Sequence, residues 1–143
     1  MNQITSYRAL ALQVTCQAIN QAQSRERAQE IICTAIARIG KQIAASIAFI
    51  GRDTKLIVLP EYFLTGFPMG ESIADWATKA CFEIAGAEYE ALGKIAQQNS
   101  IYLAGNAYDR QTARRSQHPP VSPSMQVPVI ATVASLRLNF SPV

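Results

Sequence analysis

The chain opens on a short apolar run, Tyr7 to Thr15 (YRALALQVT), in which Ala, Leu and Val follow one another with little polar interruption. Runs of that length and composition lie buried inside sheets, so a strand in the middle of a sheet is expected here. A polar stretch follows Asn20, and then the period changes: Ile32, Ile36, Ile39, Ile43, Ile47 and Ile50 recur at spacings of 4, 3, 4, 4 and 3. That is one face of an α-helix. Ser24 suits its N-cap and Gly51 its C-terminal stop, and the isoleucine stripe is expected to pack on a sheet. Arg38 and Lys41 interrupt the apolar stretch, and the charge-free piece after them is too short to cross a bilayer, so no membrane span is expected. Lys55 to Pro60 (KLIVLP) is a near-continuous apolar run closed by proline, the pattern of a central strand.

Strand, long amphipathic helix and buried strand in that order predict an α/β fold, with the two strands adjacent and the helix covering one face. Tyr62 to Gly70 reads as a loop rich in aromatics and glycine. A weak helical pattern runs from Glu71 to Ala80, and a clearer one from Ala87 to Gln98, with Tyr89, Leu92, Ile95 and Ala96 on one side. Ser100 to Tyr108 (SIYLAGNAY) is the third candidate strand. From Gln111 the texture changes. Five of the seven prolines fall in the last 33 residues, and only Val127 to Leu138 has a pattern suited to extended structure. Residues 111–143 therefore read as a divergent, Pro-rich tail.

A length of 143 residues with 49% hydrophobic and 16% charged composition fits one globular domain at most, able to bury roughly two-thirds of its unfolded surface. The formal charge of +3 is unevenly spread: residues 1–110 hold 10 basic and 10 acidic side chains, whereas the tail holds Arg114, Arg115 and Arg137 and no acid. Three scattered arginines are too few to track a phosphate backbone, so nucleic acid is not an expected partner. Cys16, Cys33 and Cys81 form no CxxC pair, and only His118 could join them around a metal. Neither a disulfide scaffold nor a metal site is expected. The first residues lack a basic segment followed by a long apolar one, so the cytoplasm is the expected compartment. A Gly-rich phosphate loop is absent as well, because TGFPMG (Thr65 to Gly70) has neither GxGxxG spacing nor a P-loop lysine.

Glu61 directly follows the predicted central strand, and ligands of open α/β sheets bind beyond the carboxyl ends of the strands. With Tyr62 and Phe63 beside it, this carboxylate is expected to be partly desolvated, which would raise its pKa and suit it to accept protons near neutral pH. A carboxylate that merely caps the strand end or makes a salt bridge is the equally weighted alternative from position alone. Trp76 and Tyr62 are candidates either to line a pocket or to fill the core.

The segment Leu56 to Phe67 (LIVLPEYFLTGF) resembles the first catalytic motif of the nitrilase, or carbon–nitrogen hydrolase, superfamily: a hydrophobic strand, Pro-Glu, then Thr-Gly-aromatic. The flanking order agrees, with the opening strand YRALALQVT, the long helix after Arg25-Glu26-Arg27-Ala28, and a later strand ending in Gly105-Asn106-Ala107-Tyr108. The resemblance covers residues 7–110, so residues 1–110 are expected to be the N-terminal part of such a domain. It implies a partial αββα sandwich and hydrolysis of a nitrile or a non-peptide amide. It also implies a Glu, Lys and Cys triad without a cofactor: the thiolate attacks carbon to give a thioester, Glu is the general base, and Lys stabilises developing charge. Glu61 matches the Glu of that triad and is the only catalytic residue the resemblance carries over; it assigns no substrate-binding residue.

The other two triad members have no match. No Lys follows Lys94 and no Cys follows Cys81, whereas the family's Lys and Cys lie beyond the strand that ends in GNAY. Arg137, in the LRLN segment where the family's basic residue would fall if the pattern resumed there, is not taken as a substitute, since guanidinium and ammonium are not interchangeable at such sites. The three cysteines are expected to be buried or structural thiols and not nucleophiles. The abrupt loss of acids and gain of proline past Gln111 predict a tail that is truncated or read from a shifted frame. Two functions follow: an incomplete hydrolase, inactive alone, or a non-catalytic α/β interaction module that pairs with a full-length homologue. Half a sandwich leaves one sheet face and its edges uncovered, and self-association is the expected way to cover them.

Overall fold

The computed structural model describes residues 6–83 and 86–108. In chain order the elements are β1 (Arg8–Ala11), α1 (Arg25–Ile50), β2 (Thr54–Val58), α2 (Ile73–Ala80), α3 (Ala87–Asn99) and β3 (Tyr102–Ala104). The strands form one sheet in the order β1-β2-β3, with both neighbouring pairs parallel. This is the α/β arrangement the sequence pattern predicts, with β2 in the centre.

The long helix follows its local chemistry. Ser24 adopts an extended backbone, and its hydroxyl accepts the Arg27 N–H, satisfying one of the donors left open in the first turn. Ala28, Ile32, Ala35, Ile36, Ile39, Ile43 and Ile47 are buried along one face. Gly51 ends the helix at φ 133°, donating its N–H to Ile47 O at 2.9 Å; a Cβ there would meet Asp53 Oδ1 at 2.6 Å. Contrary to the expectation from Arg38 and Lys41, α1 is long and apolar enough by length and composition to cross a membrane. In the fold its isoleucine face turns inward, into the hydrophobic core shared with α3 and the sheet.

Alternation along the strands divides the sheet into two faces. Leu10, Ile57 and Leu103 are in register across β1, β2 and β3 and join the core. The rows on either side point the opposite way: Ala9, Leu56 and Tyr102, and Ala11, Val58 and Ala104. Of these, Val58 is 41% and Tyr102 44% exposed. Among the described residues that apolar face has no covering layer, as expected for one half of a sandwich.

β1 differs from expectation. It is four residues long and lies at the sheet edge, with Arg8, Ala9 and Ala11 exposed, instead of running through Thr15 in the interior. After Leu12, whose N–H still donates to Val58 O, the chain leaves the ladder to pack against the loop that follows β2, where the Ile19 N–H donates to Thr65 O. The tail expected over 111–143 lies outside the described residues.

Candidate functional site

The site is built where β2 gives out. The Leu59 N–H makes a ladder bond to Ala104 O at 2.8 Å, and Pro60 then has no N–H to continue it. Residues 61–65 form a turn, anchored from below by Phe63 and Leu64, both buried. Tyr62 sits in the left-handed region at φ 54°, a conformation that costs about 1 kcal/mol for a side chain with a Cβ and needs outside support. That support comes from both of its peptide groups. Its N–H donates to Asn106 Oδ1 at 2.9 Å. Its carbonyl accepts from the N–H groups of Thr65 and Gly66 and from the Cys16 thiol at 3.0 Å. Gly66, at φ 69°, lets the loop lie against Ala18, where a Cβ would come within 3.0 Å of that side chain.

Aromatic rings extend the turn. Tyr62 stacks on Tyr108 with ring centres 5.6 Å apart and meets Phe67 at 5.9 Å; Trp76 meets Tyr108 edge-on at 5.9 Å. Burial pushes the Tyr108 phenol well above its ordinary range, and the neighbouring Tyr62 and the Glu61 carboxylate act in the same direction. The Tyr108 phenol is turned toward Trp76 and Tyr62, and Trp76 is 3% exposed. Trp76 therefore packs in the core, and the Tyr62 ring lies in the aromatic cluster beside Glu61.

Glu61 itself is exposed. Among the described residues its two aromatic neighbours do not cover it: Phe63 turns into the core and the Tyr62 ring lies on Tyr108. Neither the small cavity bordered by Phe63, Leu103 and Asn106 nor the groove between α1 and α3 includes Glu61.

The cysteines also depart from expectation. Only Cys81 is buried; Cys16 and Cys33 are exposed, and no disulfide joins any of them. Cys16 lies in the loop after β1. Its thiol is pushed up by burial, against the opposing pull of the Gly66 backbone and Arg38, and the S–H is committed to the Tyr62 carbonyl. A thiol held neutral in this way is a poor nucleophile. Among the described residues no group of three or more His, Cys, Asp or Glu side chains is arranged to hold a metal.

Two features escaped the sequence reading. Lys79 pairs with Glu71, donates to the carbonyls of Asn20 and Ala22 at 3.3 Å, and lies 5.8 Å from the Trp76 ring centre, so it buttresses the loops beside the site. Asn106 holds the turn after Glu61; the available signal was a small polar residue two positions past β3, the strand that neighbours β2.

No curated protein and no solved structure matches the chain. Residues 4–130 match the protein family described as carbon-nitrogen hydrolase. That match covers most of the chain and reaches beyond the motif segment on both sides; together with the Pro-Glu turn at the carboxyl end of a central parallel strand, it establishes that the chain belongs to the carbon–nitrogen hydrolase family.

Proposed function

We propose that the chain carries the general-base part of a carbon–nitrogen hydrolase acting on a small nitrile or non-peptide amide, with Glu61 as the base, and that it does not turn over substrate by itself. The observation that carries this reading is the position of Glu61: one residue past the proline that ends the central parallel strand, on a backbone turn pinned from both sides. No cysteine of the chain stands where the family's nucleophile lies, no lysine follows Lys94, and the Cys16 thiol near the turn is bound to a carbonyl. The chemistry needs no cofactor, and cysteines that form no disulfide are in keeping with a cytoplasmic protein.

The test is ammonia release from simple amides and nitriles by the purified chain, with Glu61→Gln as control. Both proteins should give the same background rate. Release that required Glu61 and stopped on thiol alkylation would overturn the inactive reading.

A second reading, an interaction module that pairs with a longer homologue or with itself, is favoured by the uncovered apolar rows of the sheet, since parallel sheets are ordinarily covered on both faces. Light scattering separates the two. A stable dimer, lost on Val58→Lys and Tyr102→Lys, supports the module; a monodisperse monomer that does not capture a longer homologue argues against it.

A further inference from the structure

We propose that Asn106 is the positioning residue for Glu61. The inference rests on the reading of Glu61 as the base, and it starts from what holds that side chain. Glu61 makes no hydrogen bond or ion pair among the described residues, so what fixes the start of its side chain, the Cα–Cβ bond, is its own backbone. On the N-terminal side the ladder bond from Leu59 and the fixed φ of Pro60 define the path. On the C-terminal side the decisive group is the peptide joining Glu61 to Tyr62. A peptide unit is planar, so a bond that fixes the Tyr62 N–H also fixes ψ of Glu61.

That N–H has one acceptor, Asn106 Oδ1 at 2.9 Å. The other supports of the turn, from Thr65, Gly66 and Cys16, act on the Tyr62 carbonyl, one peptide further on. Asn106 lies two residues beyond Ala104, whose carbonyl takes the last ladder bond from β2. Its side chain thus continues the link between β2 and β3 past the proline, where backbone pairing stops. Because the Tyr62 N–H is a donor, the atom facing it must be the amide oxygen, which leaves the Asn106 NH2 group turned to other partners.

The test is solution NMR on the whole chain with two variants. Asn106→Leu keeps the side-chain bulk and removes the acceptor; Asn106→Asp keeps the acceptor. For Asn106→Leu the Tyr62 amide should lose about tenfold of its exchange protection, and the Tyr62 N to Glu61 Cα couplings, which report ψ of Glu61, should shift toward conformationally averaged values, while core amides such as that of Ile43 keep their protection. For Asn106→Asp the protection and couplings should stay near those of the parent chain, and titrating the introduced carboxylate should move the Tyr62 amide resonance. Unchanged Tyr62 protection and Glu61 couplings in Asn106→Leu, an equal loss at every core amide, or a Tyr62 resonance indifferent to that titration would each overturn the proposal. Should Asn106→Leu fail to fold, the titration of Asn106→Asp decides alone. These readouts do not depend on whether Glu61 accepts a proton, so a failure of the base reading in the ammonia assay is distinguishable from a failure here.

Discussion

Arg25 and Glu88 form an ion pair at 2.8 Å although 63 positions separate them, and the Glu88 side chain is only 2% exposed. Arg25 also donates to the Lys79 carbonyl, so one guanidinium ties the start of α1 to the start of α3 and the end of α2. Removing one partner of such a pair leaves a buried charge without compensation. Arg25→Met should lower the unfolding free energy in urea by about 3 kcal/mol, whereas Arg27→Met, which breaks the exposed Arg27–Glu30 pair, should cost about 0.5 kcal/mol or less. Adding Glu88→Leu to Arg25→Met should recover much of the loss.

The isoleucine stripe is a second test of the packing. Ile39 is fully buried at the middle of α1, and Phe49 near its end is 92% exposed. Ile39→Ala should cost about 3 kcal/mol through lost burial and the cavity left behind. Phe49→Ala should stay within about 0.5 kcal/mol of the parent by the same measurement.

Tyr108 predicts the behaviour in alkali. Its phenol is raised by burial, then by Tyr62 and Glu61, so the folded protein holds the proton where the unfolded chain releases it. The resulting stability is fully present below about pH 10, the ordinary phenol value, and is lost as pH rises toward the higher folded value. Thermal unfolding followed from pH 9 to 11 should fall less steeply for Tyr108→Phe than for the parent. Parallel curves would contradict this account of the aromatic cluster.

Thiol labelling should rank the cysteines. Cys33 on the exposed side of α1 should react first with iodoacetamide. Cys16 should follow more slowly, with a rate that continues to climb above pH 8.5, because its thiol is raised and hydrogen-bonded. Cys81, buried, should react only on unfolding. Peptide mapping reads the order, and Cys16 reacting fastest at neutral pH would mean an activated thiol.

Much of the fold was legible because it is local. The Ser24 cap, the isoleucine spacing and Gly51 each act within one or two helical turns, and the run ending at Pro60 marked β2. The family likeness was legible in the same way, from contiguous residues around Glu61, and the family match over residues 4–130 supports it. Less legible was anything that depends on two distant segments meeting. An alanine-rich strand such as β1 has the same composition at an edge as in a sheet interior, and its run of apolar residues to Val14 does not show that the ladder ends at Ala11. The exposure of Glu61 depends on where the Tyr62 and Phe63 rings go, and that is decided by Tyr108 and the core. The Asn106 bond to Tyr62 spans 44 residues and is set by the parallel register of β2 and β3.

In the proposed reading Glu61 is the base and the nearby Cys16 thiol, bound to the Tyr62 carbonyl, is not poised to attack, and the thioester step is where that combination is most directly exposed. Intact-mass spectrometry after incubation with a small amide or nitrile, quenched in acid, should find the parent chain and Glu61→Gln equally unmodified. An acyl adduct on Cys16 in the parent chain that is missing from Glu61→Gln would contradict the account.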